Sequence, residues 1–89
     1  MVRIQYTFYG DVQGVGFRYR ACHAAQLLGL TGWVRNEFDG SVMMEVQGGR
    51  QDIDAMLEMI ENGHYISIDS IDSKEIIADP NESSFDIRD

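Results

Sequence analysis

The period of the apolar residues changes on either side of Gly10. Val2, Ile4, Tyr6 and Phe8 alternate with Arg3, Gln5, Thr7 and Tyr9, the period of two that half-buries a strand. From Phe17 onward, Ala21, Ala24, Ala25 and Leu28 recur at helical spacing. Their small side chains give a narrow apolar face suited to close packing. Between the two patterns lies Gly10-Asp11-Val12-Gln13-Gly14-Val15-Gly16-Phe17-Arg18. The chain therefore has to open as a strand, a glycine-spaced loop and a helix.

The later segments extend that order. Gly29 suits a helix stop. Gly32 and Val34, flanked by Leu30, suit a second strand with Trp33 on its other face. Asp39-Gly40 signals a hairpin turn, and Val42, Met44 and Val46 alternate as a third strand. Ile53, Met56, Leu57 and Ile60 fit one face of a second helix. Asp52 and Asp54 suit its positive end, and Gly63 is read as its C-terminal cap. Ile66, Ile68 and Ile71 suggest a fourth strand whose alternation slips at a bulge. Asp79-Pro80-Asn81 reads as a turn, and Phe85 and Ile87 as a short last strand. The order β-α-β-β-α-β plus a terminal strand predicts an α+β, ferredoxin-like α/β sandwich. Its antiparallel sheet carries both helices on one face. The expectation is one domain over residues 1–89.

A net charge of −8 argues against nucleic acid as a partner, because phosphate backbones need a basic surface. No long apolar run suggests a membrane span, and no signal-like segment opens the sequence. One cysteine excludes an internal disulfide and suits a reducing compartment. The expectations are a cytoplasmic location and a monomer. Asn81-Glu82-Ser83 matches a glycosylation sequon and is read as chance.

The loop carries the chemistry. Glycines at 14 and 16 permit positive φ and let successive amides turn inward as an anion-binding nest. Amides at a helix mouth, with Arg18 in its first turn, complete an anion site. The spacing of a Walker loop is absent, and so is a dinucleotide fingerprint. From the loop alone, an anion site and a tight structural turn are equally good readings.

A second segment decides between them. Residues 32 to 42 read Gly-Trp-Val-Arg-Asn-Glu-Phe-Asp-Gly-Ser-Val. With the 10–18 loop, this closely resembles the two signature segments of the acylphosphatase family, in a chain of matching length and element order. The resemblance implies hydrolysis of a carboxyl-phosphate anhydride to carboxylate and orthophosphate, with no cofactor and no metal. The implied partners are a small-molecule acyl phosphate and inorganic phosphate. It places the phosphate against the main-chain amides of Asp11, Val12, Gln13, Gly14, Val15, Gly16 and Phe17 and against Arg18. It assigns Asn36 to orienting the attacking water. Two departures from the family stand out. Asp11 puts a carboxylate where many members carry a basic or neutral residue, and Ala21 lacks a hydroxyl that some relatives have.

So few groups suffice for that reaction. The leaving carboxylate has a conjugate acid of pKa about 4, so no general acid is required. The transition state is loose, and positioning with electrostatics carries the rate. Cys22, His23 and His64 have no metal-ligand spacing. Two rivals stand against this reading. One is a non-catalytic module that holds an acyl phosphate such as carbamoyl phosphate. The other is an RNA-binding domain of the same fold that stacks bases on Trp33 and on Tyr6, Tyr9, Tyr19 and Tyr65.

Overall fold

The computed structural model describes residues 1–89. Its elements are β1 (Val2–Asp11), α1 (Phe17–Leu28), β2 (Thr31–Asn36), β3 (Val42–Gly48), α2 (Arg50–Glu61), β4 (Ser67–Ile76) and β5 (Phe85–Arg88). They form one five-stranded sheet in the order β4-β1-β3-β2-β5. The first four strands pair antiparallel, as expected. The short terminal strand differs. β5 pairs parallel with β2, with Gly32 opposite Phe85 and Val34 opposite Ile87, so the whole sheet is mixed. The physical reason is the connection from β4, on one edge, to β5, on the other. The chain between them crosses the full width of the sheet and enters β5 in the direction of β2.

The alternation in β1 and β3 builds the core. Ile4, Tyr6 and Phe8 lie opposite Val46, Met44 and Val42, all buried on the side that receives the helices. Ala21, Ala24 and Ala25 are fully buried on α1, and their small size lets α1 and α2 pack side by side. Ile53, Met56 and Ile60 close the core from α2. Each large side chain buried this way contributes roughly 1.5–3 kcal/mol. Trp33 faces the other side, as its strand position predicts. It is capped by the guanidinium carbons of Arg35 at 5.0 Å and Arg88 at 4.8 Å from its ring.

The expected slip in β4 is a bulge. Tyr9 pairs with Ser70, but Gly10 pairs with Ile68, which leaves Asp69 without a partner. Gly10 is required there. Its φ is 129°, and a Cβ would lie 2.3 Å from the Ser67 carbonyl oxygen. Gly29 caps α1 as expected, and its N–H donates to the Ala25 carbonyl. Gly63 does not cap α2 as expected. Asn62 holds that position, and φ is not positive at Gly63. Gly63 matters for space instead, because a Cβ would meet Ile66 Cδ1 at 2.6 Å. Neither helix is long and apolar enough to cross a membrane.

Candidate active site

β1 and β2 both run antiparallel to β3, so they point the same way. Val42 lies opposite Phe8 on one side and Asn36 on the other. The loop leaving β1 and the end of β2 therefore emerge at one end of the sheet. They are two strand spacings apart, roughly 10 Å. The sequence segments 10–18 and 32–42 are brought together by this register.

A cleft of about 140 Å³ opens between them, lined by Val12, Gly14, Gly16, Phe17, Arg18, Tyr19 and Asn36. Gly14 and Gly16 have φ of 71° and 81°, the left-handed conformation their spacing anticipates. A Cβ would meet nothing at either position, so backbone conformation rather than space selects glycine. Gly16 is the N-cap of α1, no side chain caps the helix, and its first turn carries no acidic residue. The amides opening α1 are left to an external acceptor, at the positive end of the helix. Val12 is 1% exposed and anchors the loop in the core.

Arg18 is half-buried at the cleft. Arg3, Arg35 and Arg50 pair with carboxylates, and Arg20 donates to the Met59 carbonyl. Arg18 has no such partner. It lines the cleft with no carboxylate paired to it, which suits a ligand that brings two or more oxygens. Asn36 is also half-buried and lines the same cleft. A wider hollow of about 400 Å³ lies against β4 between Glu61 and Asp69. Its charged lining is wholly acidic, so it does not suit an anion.

Three of the loop residues whose amides are assigned to phosphate are not among those lining the cleft. Asp11 is the last residue of β1, paired with Ser67 and exposed. It does not line the cleft. Val15 does not line the cleft either. Gln13 turns its carboxamide away, toward the β2–β3 hairpin, where it donates to the carbonyls of Glu37 at 2.7 Å and Ser41 at 2.8 Å. Tyr19 does line the cleft, 76% exposed. Its position beside Arg18 on the first turn of α1 is the signal that could have placed it there.

The hairpin is ordered by Asp39, whose carboxylate accepts from the Ser41 hydroxyl at 2.6 Å and from the Ser41 N–H at 2.9 Å. The hydroxyl bond first, and the N–H bond second, hold the Asp39 carboxyl below its ordinary value. Ala21 is fully buried in the core and lies outside the cleft lining. His23 is exposed on α1, and His64 packs edge-on against Tyr65. The Cys22 thiol faces the Phe85 carbonyl at 3.7 Å. No three His, Cys, Asp or Glu side chains are grouped to hold a metal. Tyr6 is buried and Trp33 is covered by two arginines, so they offer no base-stacking platform.

The sequence model of the acylphosphatase family matches residues 4–87. The chain belongs to the acylphosphatase family. It is 39% identical over 90 residues to an acylphosphatase of Oceanobacillus iheyensis, with 99% of each chain covered. Among solved structures, it is similar to the acylphosphatase of Bacillus subtilis, with a TM-score of 0.90 and 30% identity over 99% of both chains. It is also similar to part of full-length HypF, described in a phosphate- and nucleotide-bound form. There the TM-score is 0.84 at 29% identity, and the match covers 99% of this chain but 12% of that one. As an acylphosphatase, the chain is a hydrolase of acyl phosphates.

Proposed function

We propose that the cleft hydrolyses the carboxyl-phosphate bond by in-line attack of water, without a metal. The observation that carries this is that Arg18, which no carboxylate pairs, and Asn36 line one cleft at the uncapped start of α1. The phosphoryl oxygens take the amides of residues 11–17 that reach the cleft, together with two N–H groups of Arg18. These donors sit where equatorial charge develops, and they need no rearrangement during the reaction. Asn36 orients the water, its carbonyl oxygen accepting a hydrogen bond from it. Asn36 takes no proton itself. The water proton passes to the phosphate, and the carboxylate leaves unprotonated.

The cleft and the single sheet that carries it support one functional domain over residues 1–89, and we propose that it acts as a monomer. A cytoplasmic setting is proposed with it, a lone cysteine being compatible with a reducing compartment. The test is phosphate release from an aryl acyl phosphate by the parent and by Asn36→Ala. Turnover should fall about 100-fold in Asn36→Ala while inhibition by inorganic phosphate persists. Unchanged turnover in Asn36→Ala removes its assigned role.

The second reading is a domain that holds an acyl phosphate without cleaving it, and the similarity to a small part of HypF, described in a phosphate-bound form, supports its binding step. It predicts no turnover by the parent, together with protection against unfolding by phosphate.

A further inference from the structure

The two halves of the cleft belong to different parts of the chain. Arg18 follows the loop after β1, and Asn36 ends β2. One side chain joins them. The Gln13 carboxamide nitrogen donates both of its hydrogens, one to the Glu37 carbonyl at 2.7 Å and one to the Ser41 carbonyl at 2.8 Å. Both acceptors lie in the hairpin that follows Asn36. The hairpin does not need these bonds to close. The Ser41 carbonyl already accepts from the Glu37 N–H at 2.8 Å, and the Glu37 carbonyl from the Gly40 N–H at 3.2 Å. Asp39 adds its own bonds to Ser41. Gln13 uses the second lone pair of each carbonyl.

Such bonds add little to the turn and much to its placement against the loop. Gln13 is flanked by Val12, which is fixed in the core, and by Gly14, which is part of the cleft. We infer that Gln13 is a positioning residue that locks the Asn36 hairpin to the phosphate loop and so sets where the oriented water stands relative to the phosphoryl group. This rests on the role of Asn36 proposed above. A shift of about 1 Å between water and phosphorus costs up to about 100-fold in rate without loss of binding. Gln13 touches neither the phosphoryl group nor the water in this account.

The test uses Gln13→Met, which keeps the length of the side chain and removes both donors. Its carbonyl acceptors keep their backbone partners, so the variant should fold. Expected is a fall in kcat of about tenfold or more, with the inhibition constant of inorganic phosphate changed less than about threefold. Placing Gln13→Met in the Asn36→Ala background should then change the residual rate less than about twofold, because the group being positioned is gone. Equal losses in both backgrounds, or unchanged kcat in the single variant, overturn the inference.

A readout without turnover separates this from the assignment of Asn36. Inorganic phosphate added to the parent should shift the backbone amide resonances of Gly40 and Ser41, which lie outside the cleft. In Gln13→Met, phosphate still bound should leave them unmoved. The same shifts in both proteins overturn the coupling. If the parent binds phosphate and shows this coupling but does not hydrolyse acyl phosphates, the catalytic reading fails and the lock stands.

Discussion

Near the start of β1, Arg3 is 5% exposed and surrounded by acceptors. It meets Glu45 at 3.0 Å, Glu82 at 2.8 Å and the Gln47 side chain at 3.0 Å. Beyond the far end of the same strand, roughly 25 Å away, Arg18 is half-buried and meets no carboxylate. The chain holds fifteen acidic residues against seven Lys and Arg, so acceptors are plentiful and none is placed beside Arg18. The difference separates two uses of a guanidinium. Where the carboxylates come from the chain, the arginine fastens the fold. Where the chain supplies only amides and Asn36, the ligand has to bring the negative charge. The overall acidity slows the approach of anions over distance. Screening over about 8 Å leaves the contacts at Arg18 to decide binding.

The largest effect should come from removing the cation at the cleft. Arg18→Ala should lower kcat/KM for an aryl acyl phosphate by about 1000-fold, read by phosphate release, with the melting temperature near that of the parent. Arg3→Met should do the reverse. It strands two largely buried carboxylates and should cost about 3 kcal/mol of stability, read by urea unfolding. The folded fraction should retain the parent kcat. A large loss of kcat there would mean that the two ends are not independent.

Smaller effects refine the contrast. The cleft lining contains no histidine, cysteine or carboxylate side chain, so no enzyme group there should shape kcat between about pH 6 and 8. A bell-shaped profile would point to a proton-transfer group outside the account. The hairpin should respond to pH lower down. The Asp39 carboxyl is lowered by its bonds from Ser41. The ordering it supplies is therefore present above the ordinary aspartate pKa and lost as pH falls through the depressed one. The Ser41 amide resonance should follow that loss, and Asp39→Ala should remove the transition. The smallest effect belongs to Asp11→Asn. Its exposed carboxylate lies outside the cleft, so phosphate inhibition should tighten less than about twofold. A much larger gain would put the carboxylate beside the bound anion.

Much of this was legible in the sequence because local patterns specify it. Alternation in β1 and β3, helical spacing in α1 and α2, and the glycines at 14 and 16 each need only a few neighbouring residues. The slip in the isoleucines at 66, 68 and 71 even marked the bulge. What stayed hidden depends on distant partners. The four residues of β5 have no period that tells parallel from antiparallel. Their placement follows from a connection tied down by Arg3 to Glu82 and by Gln47 to the backbone of Asp79. Asp11 reads as loop because nothing local reveals that β4 pairs with it. Gln13 reads as one more amide in an anion nest, and only the arrival of the hairpin 24 residues away gives its side chain a separate role. Pairing Arg18 with Asn36 needed both signature segments, because β3, which aligns them, contributes no residue to the cleft.

The most direct test of the contrast is calorimetric titration of inorganic phosphate into the parent, Arg18→Ala and Arg3→Met under identical salt. Binding to the parent and to folded Arg3→Met should be comparable, and binding to Arg18→Ala weakened about 100-fold or more. Parent-like affinity in folded Arg18→Ala would contradict the contrast, because the Arg18 guanidinium would then not be what holds the anion.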